Sequence, residues 1–83
     1  MKEVYVIINN RDFEEVVVDV YSTLDRAIME SRRYYEDNMF DDSKIVVVPH
    51  EWEDDVWLVF EVYGEKKYNR TLRGYIQRYE VKE

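Results

Sequence analysis

The sequence predicts a single α+β domain, residues 1–83, in which one amphipathic helix packs on a mainly antiparallel sheet of about five strands, in the order β-β-α-β-β-β. Five short runs rich in β-branched and aromatic residues are separated by turn residues and predict strands. One longer segment instead has apolar residues at spacings of three and four, which predicts a helix. A chain of 83 residues, 46% of them hydrophobic, can build one core but not two domains.

The first two strands are predicted at Val4–Asn9 and Glu15–Tyr21. The Asn and Asp residues between them are typical of a turn, which favours an antiparallel hairpin. Asp19 is expected to face water. Alternation along the second strand then predicts a core face formed by Val16, Val18 and Val20.

The helix is predicted at Thr23–Asn38, directly after the second strand. Ser22 is expected to cap it, because its hydroxyl can accept the backbone amide hydrogen of Asp25 while the Asp25 carboxylate reaches back. The residues expected to bury against the sheet are Leu24, Ala27, Ile28 and Tyr35.

Three later strands are predicted at Lys44–Val48, Val56–Tyr63 and Thr71–Val81, with a bulge at Gly74. A single helix covers only one face of the sheet, so the second face is expected to be exposed or paired and to bind a partner. The aromatic residues predicted on that second face are Trp57, Tyr63, Tyr75 and Tyr79.

Charge is concentrated in one window, residues 36–55, where eight carboxylates accompany the single base Lys44. This window accounts for the whole formal net charge of −7, and folding is expected to bring all of its acids close together. Two interpretations remain open: a surface that docks on a basic protein or imitates nucleic-acid phosphates, and a solvated segment that keeps the protein soluble. An indole among carboxylates favours a protein interface. The predicted partner-binding residues, expected to form one patch, are Asp41, Asp42, Glu51, Trp52, Glu53, Asp54 and Asp55.

Basic and tyrosine residues suggest an alternative function, a homo-oligomeric protein that sequesters a small anionic ligand. The residues of this alternative site are Arg32, Arg33, Lys66, Lys67, Arg70, Arg73, Tyr75 and Arg78. A purely structural subunit is a third alternative. Direct nucleic-acid binding is not expected, because a net charge of −7 repels phosphates at long range.

The residues that enzymatic chemistry needs are scarce. The chain has no cysteine, only two glycines, and one histidine, His50, without an identifiable catalytic partner. No calcium-loop pattern and no paired histidines occur. We therefore expect no enzymatic activity, no cofactor and no metal site. The sequence also shows no signal peptide and no run of about 20 apolar residues, so we expect a cytoplasmic protein without a membrane partner.

The segment from Val18 to Ala27, VDVYSTLDRA, resembles a type of small, mostly uncharacterised phage and prokaryotic protein. In that type a strand ends in an aromatic residue and Ser-Thr caps the following helix. The resemblance extends over residues 4–40 and implies a β-β-α-β core and a viral origin. A broader analogy with small acidic viral proteins implies an inhibitor of a host defence protein, acting in the host cytoplasm.

Overall fold

A computed structural model describes residues 2–11, 14–37, 43–64 and 70–82 and confirms the α+β fold. All five strands form one antiparallel sheet in the order β2-β1-β5-β4-β3. The last strand of the chain is therefore the central one, and β2 and β3 form the edges. The elements are β1 (Lys2–Arg11), β2 (Glu14–Tyr21), α1 (Leu24–Glu36), β3 (Ser43–Pro49), β4 (Val56–Tyr63) and β5 (Arg70–Val81).

Helix α1 begins at Leu24, one residue later than predicted. Thr23, not Ser22, is the N-cap: its backbone is extended, and its hydroxyl accepts the Arg26 amide hydrogen at 3.2 Å. Two adjacent hydroxyl residues offer two possible caps, and the sequence alone does not distinguish them. The helix ends at Glu36, whereas the predicted last residue, Asn38, lies outside the described residues.

The core lies between α1 and one face of the sheet. The helix buries Ala27, Ser31 and Tyr35 at the expected spacing, and Leu24 and Ile28 pack beside them. The buried Ser31 hydroxyl donates to the Ala27 carbonyl oxygen at 2.8 Å. The sheet contributes four buried side chains to this cluster, Ile7, Ile45, Val59 and Ile76.

The two faces of β4 are opposite to the prediction. Val59 is fully buried in the core and Trp57 packs against the same cluster, so alternation places Tyr63 on the helix side as well. The prediction that Trp57 and Tyr63 lie on the second face is therefore wrong. Both faces of this strand are apolar, and alternation cannot tell which of them a helix covers. Tyr75 and Tyr79 do lie on the second face, opposite Ile8 and Val4.

The predicted core face of β2 is wrong for two of its three residues. Only Val18 packs against the core, whereas Val16 and Val20 are each about half exposed. The pairing with β1 shifts between Ile7, opposite Asp19, and Ile8, opposite Val17. Val18 is thus an extra residue in a bulge, which breaks the strict alternation that the prediction assumed.

The predicted bulge at Gly74 is confirmed, since Val59 pairs with Gly74 while Phe60 pairs with Leu72.

Tyr35 of α1 covers the core above Gly74. Its hydroxyl donates to Asn9 Oδ1 at 2.8 Å and lies 3.2 Å from the Arg73 carbonyl oxygen. Burial raises the pKa of Tyr35 to about 12, and the neighbouring Tyr34 adds to the shift.

This shift predicts an alkaline loss of stability that depends on Tyr35. The phenol titrates near pH 10 in the unfolded chain and near 12 in the folded protein, so its contribution is intact below pH 10. Between pH 10 and 12 it falls by about 1.4 kcal/mol per pH unit. Urea unfolding at pH 9 and 11 should show a smaller decline for Tyr35→Phe than for the wild type. The exposed-site variant Tyr34→Phe removes only the secondary cause of the shift and should stay closer to the wild type than Tyr35→Phe does. Parallel profiles for all three proteins would contradict the assignment.

Candidate interaction surfaces

The hairpin loop between β3 and β4, residues 50–55, is held in shape by its histidine. The His50 amide donates to the Val56 carbonyl oxygen at 3.0 Å, which closes the loop at its base. His50 Nδ1 accepts the amide hydrogens of Trp52 and Glu53, both at 3.2 Å. The single histidine of the chain thus orders the backbone around the indole.

The other end of the loop is tied to the central strand β5. The Arg78 amide donates to the Asp55 carbonyl oxygen at 2.8 Å. The Arg78 guanidinium donates through Nε to Asp55 Oδ1 at 2.8 Å and pairs with the same oxygen through Nη2. The hydrogen bond with Asp55 raises the pKa of Arg78. The Asp55 charge is therefore compensated within the protein, and the loop is anchored on both sides.

Trp52 projects from this anchored loop with 83% of its surface exposed. Its ring makes an edge contact with the His50 ring, at 5.9 Å between centroids. The neighbouring Glu51, Glu53 and Asp54 are exposed as well. A cleft of about 450 Å³ separates the loop from Leu58, Phe60 and other residues of the sheet. The predicted solvent-facing indole beside carboxylates is present, and we name residues 50–55 the acidic loop.

The structure brings together five of the seven predicted partner-binding residues: Glu51, Trp52, Glu53, Asp54 and Asp55. The other two, Asp41 and Asp42, lie outside the described residues.

The expectation that the whole acidic window forms one patch is wrong. Asp37, which directly follows Glu36 at the end of α1, lines a hollow with Asp19 on the β1–β2 side of the sheet. The acidic loop instead joins β3 to β4 on the other side of the sheet and contacts Arg78 of β5.

The predicted anion-binding residues are not assembled into a site. Arg33 pairs with Glu30 on the helix surface, and Arg78 pairs with Asp55. Arg73 lies on the helix side, where it pairs with Glu61. Three guanidinium groups are therefore committed to different acids of the same chain.

The remaining members of that set are dispersed. Arg32 is exposed on α1. Arg70 stacks over the Phe60 ring at 4.4 Å, on the sheet face that also carries Tyr75. Lys66 and Lys67 lie outside the described residues. The described residues thus provide no converging cations for a small anion.

Glu61, which is not among the predicted site residues, is only 1% exposed. Its Oε2 accepts a hydrogen bond from the Ser43 hydroxyl at 2.9 Å, and its Oε1 lies 3.6 Å from Arg73 Nη1. A lone acid inside the apolar strand VWLVFEVY is the sequence signal for such a buried pair. Because Glu61 is enclosed, we assign it to stability and not to ligand binding.

The second face of the sheet carries apolar side chains from all five strands, and we name it the open face. The pairing registers align one complete row across it, Val17, Ile8, Tyr75, Leu58 and Val48. A second cleft of about 480 Å³ runs along its β3 side. Among the described elements, α1 packs on the helix side and none covers the open face.

No family model, curated protein or solved structure matches this chain. The resemblance to small phage and prokaryotic proteins therefore stays a prediction. Within residues 2–11, 14–37, 43–64 and 70–82, no group of three or more acidic, histidine or cysteine side chains could hold a metal ion. No helix in the described part of the chain is long and apolar enough to cross a membrane.

Proposed function

We propose that this protein is a small acidic interaction module that binds a protein partner with a basic surface through the acidic loop. The observation that carries the proposal is the 83% exposed indole of Trp52 on a loop anchored at both ends. Tryptophan is enriched among the residues that dominate binding energy at interfaces. Exposure of this large side chain has no stabilising role in the monomer, which favours a role in contact.

The charge of the loop specifies the kind of partner. Glu51, Glu53 and Asp54 surround the indole, and within the described residues no ion pair engages them. Together with the net charge of −7, they attract basic surfaces and accelerate encounter. A basic protein surface with an apolar recess for the indole satisfies both features.

The anchoring of the loop lowers the entropic cost of binding. His50 fixes the backbone of Trp52 and Glu53, and Asp55 is fixed to Arg78. A segment that is ordered before association loses less conformational freedom on binding. The loop is therefore suited to bind without refolding.

Capture from a lysate of the source cells, followed by identification of the bound protein and kinetics with it in purified form, tests this function. The association rate should fall at least tenfold between about 20 and 300 mM salt, because exposed charges are screened. Trp52→Ala should weaken binding by about 2 kcal/mol, roughly 30-fold. In a Trp57→Phe background, the emission of Trp52 should shift to the blue as the partner covers it.

Matched charge variants separate local from general electrostatics. Glu51→Gln/Glu53→Gln/Asp54→Asn should slow association. The control Glu14→Gln/Glu36→Gln/Asp37→Asn removes the same number of exposed charges elsewhere and should have little effect. Binding that is insensitive to Trp52→Ala and equally sensitive to both triple variants would refute the proposal. The identity of the captured protein also tests whether this protein inhibits a host defence protein, as the analogy with small acidic viral proteins implies.

A further inference from the structure

We infer that the open face is the interface of a homodimer in which two sheets pack face to face, related by a two-fold axis that runs along β5. This inference does not rest on the acidic loop or on its partner, although Trp52 of the loop shares a cleft with Val48 and Leu58 at the border of this face. It gives the protein four layers, with one helix on each outer side.

The open face exposes large apolar side chains on both sides of β1, whose own Val6 and Ile8 are only 9% and 6% exposed. Val17 is 60% exposed, and Val20, Tyr79 and Leu72 are each exposed by 40% or more. Next to the complete apolar row runs a second row, Val20, Val6, Gln77 and Val56, with one polar member. Monomeric proteins rarely expose contiguous apolar patches of more than a few hundred Å².

The extent of this face meets the requirement of a stable dimer. Five strands spaced about 4.8 Å apart, each contributing about 20 Å of length, project an area of roughly 450–500 Å². Counted on both partners, this area totals about 1,000 Å², which is the size at which specific interfaces begin. Aligned packing of two sheets is an established way of burying such faces.

Charge and symmetry identify the occupant as a second copy. The strand order places β5 at the centre, so a two-fold axis along it lays β2 of one protomer over β3 of the other. On the open face, β2 carries Glu15 and β3 carries Lys44, with Arg70 nearby over Phe60. Burial and the neighbouring Glu15 raise the pKa of Tyr75, which agrees with a position of Glu15 on this face. Acid at one edge and base at the other are self-complementary under this operation.

The central test compares two adjacent valines of the same edge strand. Val17 lies on the open face opposite Ile8, while Val16, also about half exposed, pairs with Asn9 on the other face. Sedimentation equilibrium of the wild type should give twice the chain mass of 10.3 kDa. Val17→Asp should raise the dimer dissociation constant at least 100-fold, and Val16→Asp should leave it within about threefold. Circular dichroism establishes that each variant is folded.

A charge swap tests the arrangement of the two copies. Glu15→Lys and Lys44→Glu should each weaken the dimer, and the double variant should restore it. A double variant weaker than either single one overturns the two-fold arrangement. Equal effects of Val16→Asp and Val17→Asp overturn the interface.

A wild-type monomer at several hundred micromolar overturns the dimer altogether and leaves the open face to a foreign partner. Glu53→Gln/Asp54→Asn changes two loop residues that do not line the cleft beside the open face, and it should leave the mass unchanged. Failure of the acidic loop to bind is therefore distinguishable from failure of the dimer.

Discussion

Gly74→Ala is expected to destabilise the protein by about 3 kcal/mol, the upper end of the usual cost of overpacking. A Cβ atom at this position would overlap the Ile8 carbonyl oxygen and lie 2.8 Å from the Tyr35 hydroxyl oxygen and 3.2 Å from Asn9 Cα. Two of these atoms belong to the backbone of β1, which is paired on both sides. The backbone cannot withdraw without disturbing the central β1–β5 ladder.

Urea unfolding measures this cost, and Gly64→Ala is its matched control. Gly64 has a φ of +64°, but a Cβ atom there would meet no atom of the described residues within 4 Å beyond its chain neighbours, so alanine should cost only about 1 kcal/mol of backbone strain. For a chain of this size the total stability is about 4–12 kcal/mol, so the difference is readily measurable. If Gly74→Ala costs no more than Gly64→Ala, the close approach between β1 and β5 is not rigid.

The elements could be predicted from the sequence because each has a local signal. The helix follows from apolar residues such as Ala27 and Tyr35 at helical spacing, and the strands follow from their β-branched runs. The faces of the strands could not be predicted in the same way. Strand β4 is apolar on both sides, and β2 contains the bulge at Val18, so the location of the helix decides which side is buried.

The same distinction between local and long-range features applies to the candidate site. The exposure of Trp52 could be predicted because its immediate neighbours are charged, which is a local property. The separation of the acids could not be predicted from local sequence. Strand β3, Ser43–Pro49, carries the chain from one end of the sheet to the other between the first and the last acids of the window. The pairing of the basic residues could not be predicted for a similar reason: Arg73 and Arg78 pair with Glu61 and Asp55, which are 12 and 23 positions distant in the chain.

The second large effect is expected from Arg73→Met, which removes the counter-ion of the buried Glu61. A carboxylate that is 1% exposed cannot be rehydrated in place, so loss of its cation leaves an uncompensated buried charge. Removing one partner of a fully buried pair costs about 3–5 kcal/mol. The Arg73 side chain is about one-third exposed and its nearest nitrogen is 3.6 Å from Glu61, so we expect about 2–3 kcal/mol here.

A double-mutant cycle with Glu61→Gln isolates that charge effect. Glutamine keeps a side-chain oxygen for the Ser43 hydroxyl but carries no charge. Arg73→Met also removes the stacking of the guanidinium over Tyr35, and this loss is the same in both backgrounds. Arg73→Met should therefore cost at least about 1 kcal/mol less in the Glu61→Gln background than in the wild type. Equal costs in the two backgrounds would mean that Arg73 stabilises the fold through Tyr35 and not through the buried carboxylate.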